Sequence, residues 1–308
     1  MLMTHAQEAP EEAPDLRPRL RACPVSPDGQ CQFGQPVPSF DRSGLVGKVA
    51  VARCRHCGVG VSCPALADVA FLYSDRSSQD FQQTDGRLAR LIKSVAFRRQ
   101  ARALMRQIGG ARGRIIDFGC GSGLFTRCLA DTQPGTQVIG ADFHEQPPRD
   151  LGEVAYRPFR RLDELAGSAD LVLAFHVLEH DDDSKAMLQR IARLAKPGGR
   201  IVLEVPNIDC VWARIFGRYW DAWYLPYHRV HFSRASLRGV VESLGLKVEI
   251  EARATVPTMG RTTANLLGRT NSLLFIMIGA ALHPLQWLGE RLTRHPSALR
   301  IVARVSAS

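Results

Sequence analysis

The chain has 308 residues, of which 45% are hydrophobic and 23% are charged, and its formal net charge is +10. This length suits one large domain or two modest ones, and the composition is that of a soluble globular protein. The first residues contain acids and prolines but no apolar core, which excludes a secretory signal. We therefore expect a cytoplasmic protein whose eight cysteines stay reduced.

Four regions can be distinguished along the chain. Residues 1–22 predict a disordered tail, and residues 23–72 predict a small cysteine-bearing module. Residues 80–255 alternate strand-like and helix-like patterns, which predicts a main α/β domain. Residues 256–308 predict an apolar and basic C-terminal extension that ends in a further strand of the sheet.

The cysteine-bearing module contains half of a zinc-binding pattern. Cys54-Arg-His-Cys57-Gly has the spacing of a zinc knuckle, in which the glycine lets the turn close. A structural zinc needs a second pair of ligands upstream, where Cys23 is followed by Ser26 instead of a second cysteine.

The missing ligand has several candidates. Cys31 is the substitute that we predict, while Cys63 and His56 remain alternatives. The other interpretation is a ribbon that has lost its metal and kept its small β-fold. The set that we predict for one structural zinc is Cys23, Cys31, Cys54 and Cys57.

Residues 80–109 predict a basic amphipathic helix. Nine lysines and arginines and no acid lie between Arg87 and Arg114. Apolar residues recur at helical spacing, at Leu88, Leu91, Ile92, Val95, Leu104, Met105 and Ile108. The basic face is either solvated or a surface for an anionic membrane or an acidic substrate. Nucleic acid is disfavoured, because no aromatic residues are interleaved for base stacking.

A glycine loop follows an apolar strand in the main domain. That strand leads into Asp117, and Gly119, Gly121 and Gly123 follow before a helical pattern begins. Glycines let the backbone turn sharply and approach a ligand, and the helix start offers free N–H groups. A nucleotide-like cofactor is therefore the expected ligand.

The residues around the loop indicate which cofactor it is. A dinucleotide fingerprint requires a third glycine at the position of Leu124. Asp117 would repel a pyrophosphate but suits a cationic ligand, such as the ammonium and sulfonium of S-adenosylmethionine. Asp142, at the end of the next strand-like segment, is placed to accept hydrogen bonds from ribose hydroxyls.

Three motifs, at residues 117–123, 169–180 and 194–207, carry a family resemblance. On these motifs, residues 85–255 resemble the class I S-adenosylmethionine-dependent methyltransferases. The most similar subgroup has a cysteine-containing segment in front and a Pro-x-His…Phe-Ser segment behind, and it includes ubiquinone-pathway enzymes. The resemblance implies cofactor contacts from Asp117, Gly119, Cys120, Gly121, Gly123, Asp142, Phe143 and His176.

The alternation of elements implies a doubly wound, Rossmann-like α/β sheet, and the resemblance implies seven strands. Strands are predicted at 114–118, 137–141, 154–157, 170–175, 200–205, 246–252 and 299–304. Helices are predicted at 122–132, 183–195 and 234–244. Pro147 and Pro148 exclude the helix that usually follows the second strand in this family, and residues 156–161 are basic where an acid often contacts adenine.

Methyl transfer to a hydroxyl benefits from a base, for which His180, His228 and His231 are our candidates. In ubiquinone-type relatives the loop after the fourth strand reads Glu-x-x-Glu-His and is associated with a divalent metal. Here His176 takes the first position of that pattern. The aromatic segment at residues 220–233 is either a packed cover over the sheet edge or the acceptor pocket.

Residues 272–289 form a strongly apolar segment in the C-terminal extension. Its uninterrupted run, Leu273 to Leu282, is too short to span a bilayer, and we expect His283, Pro284 and Gln286 to break it. A core helix, a substrate lid and an interfacial helix remain alternatives.

The sequence therefore predicts an S-adenosylmethionine-dependent methyltransferase that methylates an oxygen of a small or lipid-linked acceptor. Peripheral membrane contact is an open alternative to a purely cytoplasmic location. The rival hypothesis is a non-catalytic binding or scaffold protein with the same fold, in which the prolines after Asp142 mark loss of activity.

Overall fold

The computed structural model describes Cys23, Val25 and residues 31–66, 86–269 and 272–306. The predicted tail, residues 1–22, lies outside the described residues. The end of the predicted module and the start of the basic helix also lie outside them, within residues 67–85.

The described chain alternates strands and helices as the sequence predicts. The strands are β1 (Val37–Ser39), β2 (Val49–Arg53), β3 (Gly60–Cys63), β4 (Arg114–Phe118), β5 (Gln137–Asp142), β6 (Ala155–Pro158), β7 (Ala169–Phe175), β8 (Ala195–Pro206), β9 (Val230–His231), β10 (Lys247–Ala254) and β11 (Ala298–Arg304). The α-helices are α1 (Arg87–Gln107), α2 (Leu124–Thr132), α3 (Ser184–Leu194), α4 (Val211–Phe216), α5 (Arg234–Ser243), α6 (Met259–Leu266) and α7 (Leu273–Thr293).

Seven of the strands form the main sheet, in the order β10-β11-β8-β7-β4-β5-β6. The strands from β4 to β8 run parallel to one another, and β11 runs antiparallel to both of its neighbours. One face of the sheet packs on α1 and α2, and the other packs on α3 and α5. This arrangement confirms the predicted doubly wound, seven-stranded fold.

A second, four-stranded sheet has the order β1-β2-β3-β9. Its first three strands come from the cysteine-bearing region, but β9 comes from the aromatic segment far along the chain. Val61 pairs with Val230, and Gly60 pairs with His231. The small sheet is therefore completed by residues that follow the main domain's fifth parallel strand, which the sequence analysis did not anticipate.

The basic helix α1 covers the sheet with its C-terminal half. Leu104 and Met105 are buried there, and Ile108, at its C-terminal cap, is buried as well. In the other half, Leu91 and Ile92 are 61% and 56% exposed. The predicted apolar stripe is thus only partly used for packing within the described residues.

Helices α6 and α7 form a hairpin inserted between β10 and β11. The apolar segment forms the single helix α7, which continues through Pro284 to Thr293. With a mean hydropathy of 1.3, this helix is long and apolar enough to cross a bilayer. Core helices of soluble proteins can have the same length and composition.

Candidate active site

The glycine loop joins β4 to α2 at the carboxyl end of β4. Gly119, Gly121 and Gly123 have φ values of 78°, 52° and 80°, which other residues adopt only with strain. A Cβ at Gly119 would overlap the Val177 side chain, and one at Gly123 would lie 2.8 Å from the Leu151 backbone. Both backbone shape and close contact therefore require glycine here, beside the N-terminus of a helix.

Asp142, the last residue of β5, holds this loop from the neighbouring strand. Its Oδ2 accepts a hydrogen bond from the Gly121 N–H at 2.8 Å, and its Oδ1 accepts one from the Phe143 N–H at 2.8 Å. Burial raises the pKa of this carboxyl to about 6, although both hydrogen bonds act in the opposite direction. Each oxygen has a second lone pair, so the carboxylate could also accept ribose hydroxyls.

Asp117 precedes the loop on β4, and Cys120 lies within the loop. Asp117 is buried and accepts a hydrogen bond from the Thr126 hydroxyl at 2.6 Å, which ties β4 to α2. Burial raises its pKa to about 6, against the effect of the Thr126 hydrogen bond. Burial also raises the pKa of the Cys120 thiol, so this residue is a neutral packing group. Direct contact of either side chain with the cofactor stays a prediction.

The segment after Asp142 contains no α-helix, as the two prolines predict, and a 3₁₀ turn at Arg149–Leu151 replaces it. The Phe143 side chain is 55% exposed, and its ring centroid lies 3.9 Å from that of His144. Tyr156, which the sequence analysis did not single out, donates a hydrogen bond to the His144 carbonyl at 2.5 Å. An exposed ring beside Asp142 offers a surface on which an adenine could stack.

His176, directly after β7, lies between two carboxylates. Its Nδ1 is 3.2 Å from Oε1 of Glu179, and its Nε2 is 3.4 Å from Oε1 of Glu204. Since carboxylates accept hydrogen bonds, both ring nitrogens carry protons and the ring is an imidazolium. Desolvation opposes this charge, but the two carboxylates outweigh it and raise the pKa of His176 to about 10.

Glu204, which pairs with His176, also pairs with a residue of the neighbouring strand β11. The Arg300 Nε donates to its Oε2 at 2.8 Å, and the two residues are register partners on β11 and β8. Burial would raise the pKa of Glu204, but His176 and Arg300 together lower it. The sequence analysis missed both residues, although a glutamate within the apolar strand β8 was a visible signal.

The rings of His180 and His228 are in edge-to-face contact, with 4.7 Å between their centroids and 80° between their planes. The His180 Nδ1 lies 3.1 Å from the Tyr227 carbonyl oxygen, and the His228 Nδ1 lies 3.0 Å from that of Ala222. A carbonyl only accepts, so each Nδ1 carries a proton, and the lone pair of a neutral ring at either position is on Nε2. Burial, together with the neighbouring histidines, lowers the pKa of His228 well below its usual value.

His231 lies on β9, within the small sheet. Its Nε2 is 3.0 Å from the Ser62 hydroxyl, and its ring centroid is 6.4 Å from that of His228. Burial lowers the pKa of His231 to about 3, so the ring is neutral. This position favours a structural role, and the assignment of His231 as a base stays a prediction.

Glu179, His180 and His228 each offer a ligand atom within 4.8 Å of the others. The Glu179 Oε2 is buried and has no hydrogen-bond partner among the described residues. One carboxylate and two imidazoles form a donor set that suits a divalent metal ion. These residues therefore fit the metal that the resemblance implies, with His228 supplied by a segment outside the Glu-x-x-Glu-His pattern.

The cysteine cluster brings the predicted zinc ligands together. The Cys57 sulfur is 3.5 Å from that of Cys23 and 4.0 Å from that of Cys31, and the Cys54 thiol interacts with those of Cys31 and Cys57. The edge of a tetrahedral zinc–thiolate site is about 3.8 Å when each Zn–S bond is near 2.3 Å. The sulfur atoms of Cys23, Cys31 and Cys57 lie within 4.8 Å of one another and fit a structural zinc, with Cys54 as the adjoining fourth cysteine, whereas Cys63 is buried on β3.

A family model described as a methyltransferase domain matches residues 84–250, more than half of the chain. The chain belongs to this methyltransferase family. The matched region contains the glycine loop, Asp142 and the histidines at the end of β7, and the family supports S-adenosylmethionine as the cofactor.

The methyltransferase is also similar to curated ubiquinone biosynthesis O-methyltransferases. It is 32% identical to that of Pseudomonas aeruginosa over 110 residues, which are 32% of this chain and 47% of the relative. It is 36% identical to that of Rhodopseudomonas palustris over 104 residues, 30% of this chain and 40% of the relative. The chain thus spans less than half the length of these relatives.

One solved structure resembles the methyltransferase over most of its length. It is the 1,6-didemethyltoxoflavin-N1-methyltransferase of Burkholderia thailandensis, solved with 1,6-didemethyltoxoflavin and S-adenosylhomocysteine. The TM-score is 0.51 at 20% identity, and the match covers 88% of this chain and 99% of that chain. This similarity shows a shared fold.

Proposed function

We propose that the protein transfers the methyl group of S-adenosylmethionine to a hydroxyl of a small or lipid-linked acceptor. The observation that carries this proposal is the contact between the glycine loop and the histidine-bearing loop after β7, where Val177 packs against Gly119. The named activity of the curated relatives supports oxygen as the target and a lipid-linked acceptor as its class.

The sulfonium is an activated methyl donor, so the chain's main task is to hold donor and acceptor in line. Asp142 and the N–H groups of the loop would fix the cofactor. A neutral imidazole, at His228 or His180, then takes the hydroxyl proton as the O–CH₃ bond forms and the S–CH₃ bond breaks. The products are a methyl ether and S-adenosylhomocysteine.

The ion pair between His176 and Glu179 supports this proton transfer. The His176 imidazolium holds Glu179 in place, and the Glu179 Oε1 lies 3.9 Å from the His228 Nε2. A carboxylate at this distance would stabilise the positive charge that His228 acquires with the proton. His176 is therefore proposed as a positioning residue, in addition to the cofactor contact that the resemblance implies.

A divalent cation could be held by Glu179, His180 and His228, as the resemblance implies. When bound, such a cation would polarise the acceptor hydroxyl and lower its pKa. We further propose one structural zinc in the cysteine cluster, remote in function from methyl transfer.

The location that we propose is the cytoplasm, with peripheral contact to a membrane. A lipid-linked acceptor would be met at a bilayer surface, and the net charge of +10 suits an anionic one.

The test is a screen with radiolabelled S-adenosylmethionine and phenolic acceptors that do or do not carry an isoprenoid tail. We expect transfer to oxygen, identified by mass spectrometry of the product. Binding of the cofactor without turnover of any acceptor would favour the rival hypothesis of a non-catalytic binding protein. The same assay is repeated with a chelator. Transfer that continues supports the imidazole base alone, and transfer that stops shows that a divalent cation is needed.

A further inference from the structure

The hairpin of α6 and α7 presents an apolar tip to solvent. Five large side chains at this tip are between 42% and 63% exposed: Leu266, Leu267, Leu273, Leu274 and Met277. Contiguous exposed apolar side chains of this kind mark interaction sites in soluble proteins, because they are costly in water.

The C-terminal half of α7 has the reverse polarity of an ordinary surface helix. Gln286 and Glu290 face inward and are 1% and 2% exposed, whereas Leu285, Leu288 and Leu292 are 59%, 45% and 73% exposed. A helix on the surface of a soluble domain buries its apolar side and exposes its polar side. The outer side of α7 is therefore suited to apolar surroundings.

The inward polar side chains attach α7 firmly to the main domain. The Gln286 Nε2 donates to the Val256 carbonyl at 2.7 Å, and the Thr255 hydroxyl donates to the Glu290 carboxylate at 2.7 Å. A helix tied to the body of the protein in this way lies along the surface. Despite its length, α7 is thus built to lie in the plane of an interface rather than to cross a bilayer.

The two helices of the hairpin are in backbone contact. A Cβ added at Gly279 would lie only 3.0 Å from the backbone nitrogen of Gly260. Small residues at a helix crossing allow this close approach and fix the geometry of the pair. The tip is therefore carried on a defined hairpin, with only residues 270–271 outside the described part.

The charges around this surface are almost all positive. Residues 255–295 contain four arginines, of which Arg261 pairs with the buried Asp221, and one acid, the buried Glu290. The Arg291 guanidinium lies 5.3 Å from the Trp287 ring centroid, and Trp287 is 48% exposed. Tryptophan and arginine beside leucines are the residues that settle at a membrane interface.

The same charges argue against a second copy of the chain as the occupant. In a two-fold symmetric dimer the same surface patch appears on both sides, so the arginines of one copy would face those of the other. An anionic bilayer complements both the apolar tip and the surrounding positive charge.

We propose that the outer face of the α6–α7 hairpin docks on an anionic lipid bilayer, with the tip in the interface and α7 in its plane. The hairpin is joined to the acceptor side of the site through Asp221, which pairs with Arg261 of α6 at 2.7 Å. Asp221 begins the segment that leads to His228. Docking would therefore bring this segment close to the membrane surface. The benefit for catalysis rests on the proposed function, in which the acceptor is lipid-linked.

The test is flotation of the full chain with vesicles of phosphatidylcholine alone or mixed with phosphatidylglycerol, without any acceptor. We expect binding to the anionic vesicles that weakens at high salt. The double variant Leu274→Glu/Met277→Glu should lose it by about tenfold or more, since each glutamate opposes both insertion and charge attraction. The matched control is Leu91→Glu/Ile92→Glu, which places the same charges on the exposed half of α1 and should bind as the wild type does.

Folding of each variant is checked by binding of S-adenosylmethionine, which also separates this proposal from the proposed function. A second measurement uses nitroxide-labelled lipids, which should quench wild-type tryptophan fluorescence more than that of Trp287→Phe. The proposal is overturned if the α1 variant alone loses binding or if vesicle type makes no difference. It is also overturned if sedimentation velocity shows a dimer that the hairpin variant dissociates while no vesicle binding is seen.

Discussion

The Asp142 carboxylate accepts a hydrogen bond from the Gly121 N–H, so that one strand end fixes the cofactor loop of its neighbour. This relationship makes Asp142 both a support of the loop and a candidate ligand of the ribose. Asp142→Ala should weaken S-adenosylmethionine binding by about 1–3 kcal/mol, the scale of a lost hydrogen bond to a buried polar group. Isothermal titration calorimetry measures this change.

The control is Asp131→Ala, which removes an exposed acid on α2 that pairs with Arg98 at 3.0 Å. Exposed ion pairs contribute little, so this variant should bind the cofactor normally. Unchanged affinity in Asp142→Ala would show that cofactor binding depends neither on this support of the loop nor on a contact with the ribose.

The imidazolium of His176 predicts a pH-dependent contribution to stability. Its pKa is raised from 6.5 to about 10, so the stabilisation is fully present below pH 6.5 and is lost as the pH rises through about 10. His176→Gln should lower the free energy of unfolding by about 1–2 kcal/mol at neutral pH, a value reduced for partial exposure of the ring.

Urea denaturation of wild type and variant across this pH range measures the difference. We expect the two free energies of unfolding to converge above the raised pKa. A difference that stays constant with pH would mean that the ring is neutral and that the contribution comes from packing.

The central parallel strands of the main sheet, such as β4 and β7, could be predicted because buried parallel strands appear as continuous apolar runs. The glycine loop could be predicted because its backbone requires glycine. The partnership of His176 with Glu204 could not, since it depends on β7 and β8 being neighbours, and strand order is a property of the whole sheet.

Two other features were hidden from sequence patterns for different reasons. Strand β9 has two residues, too few for any periodicity, and its pairing with β3 is set by tertiary packing. Helix α7 turns Gln286 and Glu290 inward, where they find partners at Val256 and Thr255. Such partners cannot be read from a local window.

The cysteine cluster predicts one zinc ion per chain. Sulfur atoms 3.5–4.0 Å apart match a tetrahedral thiolate site, so Cys54→Ser should lose the metal and lower the thermal stability of the protein. Elemental analysis of protein purified without chelator measures the zinc content, and differential scanning fluorimetry follows the stability.

Cys63→Ser is the matched control, because Cys63 is a buried cysteine outside the cluster and should keep the zinc. Absence of zinc from the wild-type protein would reject the site. If Cys54→Ser keeps its methyl transfer activity after losing zinc, the metal is structural only.

The paired histidines lead to the prediction on catalysis. Replacing His180, His228 and His231 singly by alanine should leave cofactor affinity nearly intact, because the ring hydrogen bonds described for them go to Tyr227, Ala222 and Ser62. At least one of the first two variants should lower kcat by about 10²–10⁴-fold, the usual contribution of a general base. His231→Ala should mainly lower stability, since it removes the partner of Ser62 in the small sheet.

The pH profile distinguishes the two bases. A base must be neutral to act, and a lowered pKa keeps His228 neutral to well below pH 6.5. If His228 is the base, the wild-type kcat should stay level as the pH falls through 6.5 and decline only under more acidic conditions. If His228→Ala abolishes turnover but the wild-type rate already falls near pH 6.5, another group limits the reaction.

If all three alanine variants methylate a true acceptor at the wild-type rate, the histidines are structural. Catalysis then depends on the alignment of donor and acceptor alone.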